Sequence, residues 1–475
     1  MSLPIESSRR EQDGVAYWLE RDGAAKTLVI GSTDPAVTSG FAGEPAGETF
    51  RAPATPDNAA ALRSRLPNLA PTKVGLATSV GFGDRLGICT PGHAAALTAM
   101  GGAITPIFAQ QSIREMGRTN RTPRQVLDDA TWGTFQAGWA GPVGADADHL
   151  HTLADIDSCV AAGFTLFTFD PNDHVDPEAE SAPPSVCEAK ARGLDWATLS
   201  STYEDFLARY TGHRIELEDE TITLTDEAII RAMAKYGAAI VQTVKMYQQL
   251  VSHGGDYEFE MAVDETDYPT KPAEHVVIMS ELKRLGLEPV SFAPRFVGGF
   301  EKGVEYIGDL DALKRDFQIH AEIARKLGGY KLSLHSGSDK YSTYPLFAEA
   351  TRGVCHLKTA GTSWAEALRV IARHDPALFR DVLALSLTEF ETNRQSYHLS
   401  CDPSKIDSQV PDDQLDNLLT LTDSRQVLHV GYGPALAQFH DRLYECWHAH
   451  EDELTAIIAD HFAKHLAPFA PWAKK

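Results

Sequence analysis

Carboxylates, imidazoles and cations follow a series of short apolar runs in this sequence. "GPVGAD" leads into "ADHLHT" with Asp148, His149 and His151, "FTLFTF" into "DPNDHVD" with Asp170, Asp173 and His174, and "YEFEMAV" into "DETD" with Asp264, Glu265 and Asp267. "VSFAP" precedes Arg295, Glu301 and Lys302, "KLSL" precedes "HSGSDK" with His335, Asp339 and Lys340, and "VCHL" precedes Lys358. Two or more imidazoles and a carboxylate, each on its own rigid support, are the mixed nitrogen and oxygen ligands that a catalytic divalent ion takes, with one coordination position left open. His149 and His335 suit that role best, because small residues or a carboxylate stand beside them as a ligand with a hydrogen-bonding partner requires. His151, His174 and His356 read more simply as surface or hydrogen-bonded core residues.

Asp148 next to His149 is a general acid/base, a partner for the imidazole or a helix cap, and the first of these ranks highest. Ser336 and Ser338 flank a glycine after a strand, where hydroxyls and backbone N–H groups meet hydroxylated or anionic ligands. Arg85, Arg295, Lys340 and Lys358 are candidates for gripping a carboxylate, arginine as a fork and lysine as a point charge. Lys358 is also the best-placed lysine for a Schiff base. Gln110, in "FAQQSIRE", adds the neutral donor and acceptor that sugars require.

The elements that must position these groups follow from the alternation of short apolar runs with longer amphipathic ones, the pattern of βα units. Strand candidates are "KVGLATSV", "AITPIFA", "GPVGAD", "GFTLFTF", "YEFEMAV", "EPVSFA", "YKLSLH", "VCHLK" and "QVLHVGYG". That is one more than a closed barrel of eight holds, and "AITPIFA" and "GPVGAD" are the weakest. The predicted fold is α/β, a (β/α)8 TIM-type barrel over residues 71–434 with a small β-rich N-terminal appendage (1–70) and a helical C-terminal tail (435–475). Helical patterns over residues 189–211 and 226–253 are read as an insertion on the barrel, about 184–254. "TPRQVLDDATWGTFQAGW" reads as a helix opened by a Thr cap and Pro, and "LDALKRDFQIHAEIARKLGG" as one closed by glycines.

Composition narrows the function. A formal charge of -23 without any basic block interleaved with aromatics excludes nucleic acid as a partner. No apolar run has the length of a membrane span, the start lacks the apolar core of a signal peptide, and six cysteines are scattered without CxxC spacing, all of which predicts a cytoplasmic protein without a membrane partner. "GFGDRLG" approximates the glycine turn of a dinucleotide site. Residues 86–114 hold no Asp or Glu to bind a ribose, however, so no nucleotide cofactor is expected.

Taken in order, "GFGDRLG", "TPGH", "FAQQSIREM", "TPRQVLDDA", "GADADHLHT", "DPNDHV", "VDETD", "APRFVGGFEKGVEYIGD", "KLSLHSGSDKYS" and "HLKTAGTS" resemble the tagaturonate epimerase family. The resemblance implies a metal-dependent enzyme that inverts carbon 4 of a ketohexuronate, converting D-tagaturonate to D-fructuronate, on a barrel similar to that of class II aldolases. It implies a divalent metal ion, zinc first, with manganese, nickel or cobalt as alternatives, held by His149, Glu265 and His335. Asp148 and Glu265 would be catalytic, and Arg85, Gln110, Arg295, Ser336, Ser338, Lys340 and Lys358 would bind substrate. Asp173–His174 is a rival Asp-His pair. The partner is then a small ketohexuronate, with a homo-oligomer left open.

The hydrogen on carbon 4 is not acidic in the ketose, since the carbonyl is two bonds away. Retro-aldol cleavage between carbons 3 and 4 is therefore the preferred route, ahead of carbonyl migration followed by proton abstraction. An aldolase that releases its products and a noncatalytic sugar-acid-binding protein are the competing functions.

Overall fold

The computed structural model describes residues 2–397 and 399–473. Eight short, almost wholly buried segments form the parallel strands: Ser79–Gly83, Thr105–Ser112, Gly144–Leu150, Leu166–Phe169, Glu258–Ala262, Ser291–Ala293, Lys331–Leu334 and Cys355–Ala360. They pair in sequence order, and the eighth closes on the first with His356 opposite Ser79 and Lys358 opposite Gly81. Both faces of these strands are buried, yet several alternate apolar with polar residues, as in Glu258–Ala262 and Lys331–Leu334, because one face packs under the helices and the other turns into a polar interior. The molecule is an α/β barrel of the expected kind.

The helices follow their local signals. Pro123–Ala137 starts at a capping box of Thr122 and Gln125 and stops at Gly138, whose φ of +72° is left-handed. Leu310–Lys326 turns Leu313, Phe317, Ala321 and Ala324 inward at helical spacing and ends before Gly328 and Gly329, both at positive φ. Each fully buried leucine or phenylalanine on such a face stabilises the fold by roughly 1.5–3 kcal/mol.

Four sequence expectations change. "QVLHVGYG" is helical, in Thr422–Val430 and the start of Tyr432–Ala449, so it is the surplus candidate, while "AITPIFA" and "GPVGAD" both feed barrel strands. Its Val427, Leu428 and Val430 are buried against other helices, and a short apolar run does not reveal by itself which partner buries it. "KVGLAT" precedes the first strand, and the glycines of "SVGFG" lie within it. A Cβ on Gly81 would come within 2.8 Å of the Gln110 side chain, so the glycine makes room inside the barrel. The pattern over residues 189–211 divides into Pro184–Arg192 and Tyr203–Tyr210, whereas Asp226–Ser252 is one helix.

At the N-terminus a five-stranded antiparallel sheet, built around the hairpin of Val15–Asp22 and Ala25–Ile30, packs its Leu19, Leu28 and Phe50 with Trp132 and Phe135 of the Pro123–Ala137 helix. At the other end Glu451–Leu466 lies on Thr90–Ala99. Gly92 allows that approach, since a Cβ there would stand 2.6 Å from Ile458. Among the described residues no helix is long and apolar enough to cross a membrane.

Candidate active site

The third barrel strand delivers His149 through a bulge, where its register with the fourth strand shifts between Ala147 and Leu150. His149 itself has a left-handed backbone, φ +48°. Bulges re-aim side chains beside active sites, and a non-glycine residue in this region is strained by about 1–3 kcal/mol unless its surroundings hold it. Asp170, just past the fourth strand, is the hold: its Oδ2 lies 2.7 Å from His149 Nδ1. The other ring nitrogen, Nε2, remains as a ligand atom.

His335 directly follows the seventh strand. Its Nε2 is 2.7 Å from Glu260 Oε1, and its Nδ1 is 2.9 Å from Asp264 Oδ1. That second contact is an ion pair when the imidazole is protonated but is not aligned as a hydrogen bond, so neither of these buried atoms has a hydrogen-bond partner. One ligand atom each from His149, Asp264 and His335 lie within 4.8 Å of one another. Two imidazoles oriented by carboxylates on their far nitrogens, together with an orphaned carboxylate oxygen, fit the requirements of a zinc-like divalent ion.

The electrostatics agree. Burial opposes protonation of His149, yet Asp148, Asp170 and Asp264 raise it to about 10. His335 is raised to about 9 against burial, chiefly by Asp264. Burial raises the Asp264 carboxyl, but His335 outweighs that and holds it well below the usual range. A site this negative draws positive charge, as protons or as a metal ion.

Below the two imidazoles the barrel interior is polar. Lys358 Nζ lies 2.7 Å from Asp148, 2.8 Å from Asp146 and 3.0 Å from Glu260, and it donates to Thr168 Oγ1 at 2.5 Å. Burial disfavours the Lys358 ammonium, but the three carboxylates hold it charged far above the ordinary lysine range. An ammonium so firmly protonated is unsuited to form a Schiff base. Asp148 accepts from Gln110 Nε2 at 2.7 Å on its other oxygen, and Lys358 keeps it ionised in spite of burial.

Above lies a cavity of about 310 Å3 bounded by Asp264, Glu265, Arg295, Lys302, His335 and Tyr397, among others. Its size suits a six-carbon sugar acid. Lys302 donates to Ser336 Oγ at 2.7 Å, and Arg295 donates to the Asp264 carbonyl at 3.2 Å while its buried Nε has no partner. A larger open depression of about 540 Å3 on the flank contains arginines already paired with carboxylates, such as Arg369 with Asp416 and Arg425 with Asp339.

The structure therefore brings Asp148, His149, Gln110, Arg295, Ser336, His335 and Lys358 to one mouth and redirects the other expected residues. Glu265 faces the cavity but pairs with Arg114 at 3.4 Å, and Asp264 takes its place beside the imidazoles. Arg85, expected to contact substrate, is buried, bound to Glu115 at 2.5 Å, and stacked 3.8 Å over Tyr432. Lys340 is buried too, with its Nζ held by the carbonyls of Glu301, Val304 and Ser338, so this cation and the Ser338 carbonyl brace a loop. The rival residues Asp173 and His174 are exposed, away from the cluster.

Sequence reasoning placed Asp264 among the strand-end carboxylates but gave its role to Glu265, and it missed Glu260, Asp146 and Tyr397. Strand parity would have found Asp146, which falls on the same side of its strand as Asp148, and Glu260, which alternates with Phe259 and Met261. Nothing local marks Tyr397, which comes from a segment between the barrel and the last helices.

Comparison with known proteins adds to this geometry. Residues 5–469 match a family model described as tagaturonate epimerase. A tagaturonate/fructuronate epimerase of Thermotoga maritima is 41% identical over 468 residues, covering 97% of this chain and 95% of that protein. The crystal structure of a fructuronate-tagaturonate epimerase from Cohnella laeviribosi superposes with a TM-score of 0.92 at 33% identity, covering 99% of this chain and 96% of the other. A glycerol complex of the Cohnella laeviribosi protein gives the same TM-score.

Proposed function

The chain belongs to the tagaturonate epimerase family, a sugar-acid isomerase, and on that premise we propose that it interconverts D-tagaturonate and D-fructuronate by breaking and remaking the bond between carbons 3 and 4. His149, Asp264 and His335 are the residues that would hold a divalent ion. When bound, such an ion supplies Lewis acidity for the ketose carbonyl and for charge that develops beside it. The observation that carries the metal is the buried, unpartnered pair of His335 Nδ1 and Asp264 Oδ1.

The protein's own groups account for the remainder. Asp170 and Glu260 fix the two imidazole rings. Asp148 is the group placed for the hydroxyl on carbon 4: Lys358 and Gln110 hold it as a carboxylate, so it accepts that hydroxyl's hydrogen bond and takes its proton only transiently. Arg295 and Lys302 line the part of the cavity suited to the substrate carboxylate. Glu265, which borders the same cavity, is a second acid/base candidate. Scattered cysteines, none in a disulfide among the described residues, support a cytoplasmic setting.

Incubating chelated and metal-loaded protein with D-tagaturonate and following the sugar by NMR tests both parts. The loaded protein is expected to make D-fructuronate and the chelated one to lose that ability. In deuterated water the product should carry no deuterium on carbon 4. Deuterium there would replace bond cleavage with proton abstraction, and an equally active chelated protein would remove the metal.

A further inference from the structure

Bond cleavage imposes a demand on the site beyond chemistry, because an epimerase that cuts its substrate must keep both halves until they rejoin. An aldolase built from the same groups lets them go. The structural difference is whether the cavity has a roof, and here the roof comes from outside the barrel.

Tyr397 borders both the 310 Å3 cavity and the narrow space next to it, which reaches Asp148 and Lys358. Two arginines of the Ile113–Thr119 helix hold it. Arg118 donates to its hydroxyl at 2.8 Å, and the guanidiniums of Arg114 and Arg118 each lie 5.1 Å from its ring centre. On the far side Glu301 Oε2 accepts from the Ser400 N–H at 2.8 Å, the Ser400 hydroxyl at 2.8 Å and Gln426 Nε2 at 2.9 Å. Glu301 immediately precedes Lys302, so this latch ties the loop that lines the cavity to the same C-terminal segment.

We propose that Tyr397 and the Glu301–Ser400–Gln426 latch form a roof that retains the two three-carbon fragments of the cleaved ketohexuronate, and that opening it converts the epimerase into an aldolase. The inference rests on the cleavage reading given above. In the cleavage step the proton of the carbon-4 hydroxyl goes to a base and carbon 4 becomes an aldehyde. The electron pair of the bond to carbon 4 moves to carbon 3, which leaves an enediolate. If the halves escape, carbon 3 takes that proton, and the products are dihydroxyacetone and 2-hydroxy-3-oxopropanoate, which together contain every atom of the substrate. Retention thus needs no further reactant, only exclusion of water and a closed exit.

Tyr397 is here a positioning residue, and the informative readout is the ratio of cleavage to epimerisation. The metal-loaded full-length protein, its Tyr397→Ala and Tyr397→Phe forms and a Glu301→Ala form are given D-tagaturonate, and both hexuronates and dihydroxyacetone are followed by NMR. Tyr397→Ala and Glu301→Ala are expected to raise the ratio severalfold. Tyr397→Phe, which keeps the ring against the arginines, should stay near the parent. A folded Tyr397→Ala protein with the parental ratio overturns the roof. The parent and the Tyr397→Ala protein are also supplied with dihydroxyacetone and 2-hydroxy-3-oxopropanoate: formation of hexuronate by either upholds the cleavage reading whatever the ratios, and its absence in both overturns that reading and the roof with it.

Discussion

At the scale of single residues, the site is decided by which of two adjacent carboxylates faces the imidazoles. Asp264 and Glu265 are neighbours in sequence, yet only Asp264 contributes to the three-residue cluster, while Glu265 reaches Arg114. Asp264→Asn is expected to lower metal affinity by about 10–100-fold or more, as losing a close partner of a metal site does. Glu265→Gln should leave metal content unchanged and alter kcat instead. Metal analysis after dialysis of the two variants, set beside their rates, checks the assignment; equal metal loss in both would restore Glu265 as a ligand.

At the scale of elements, the barrel depends on what clasps it from outside. Glu451, at the start of the Glu451–Leu466 helix, binds Arg21 and Lys26 of the N-terminal sheet at 2.9 and 2.7 Å and accepts from Gln136 at 2.7 Å, so one carboxylate joins three elements. Burial raises this carboxyl, but Lys26 and its other donors outweigh that and bring it to about 2, against an ordinary 4.5. A carboxyl depressed in the folded state stabilises it above the ordinary value and loses that contribution as pH falls from about 4.5 toward 2. Glu451→Gln should therefore cost about 2 kcal/mol at neutral pH, the contribution being reduced by the partial exposure of Arg21 and Lys26. Denaturant midpoints of parent and variant are expected to converge as the pH approaches 2, and a constant gap would show that the carboxylate charge is not the source.

At the scale of the whole molecule, a divalent ion held by His149, Asp264 and His335, at the ends of the third, fifth and seventh strands, would be a cross-link through the barrel mouth. Ligands that bind only the folded state stabilise it by mass action, by about 2.7 kcal/mol at 100 times the dissociation constant. Chelation should accordingly lower the calorimetric midpoint, and zinc or manganese should restore it. The raised His149 and His335 add a sign that can be tested. Because both imidazoles are protonated at neutral pH without metal, binding must expel protons, and affinity should rise as pH increases toward 9–10. Titrations in buffers of different ionisation enthalpy would show that proton release; its absence would mean that the imidazoles are not the ligands.

What the chain determined by itself was the repetition: seven of the eight barrel strands fall on an apolar run, and the polar groups at their ends include both imidazoles and Asp148. Such signals are local, carried by periodicity, caps and turns, and so they survive without neighbours. Tertiary structure alone settled which cations are available. Arg85 and Lys340 have the composition of substrate-binding groups, and only the packing of Tyr432, Glu115 and the loop carbonyls around them shows that they are braces. It alone turned "QVLHVGYG" into helix, since the surface that buries an apolar run is set by distant residues. Tyr397 likewise borders the same space as His149 and Lys358 only because the chain returns over the barrel, and no spacing along a sequence encodes that return.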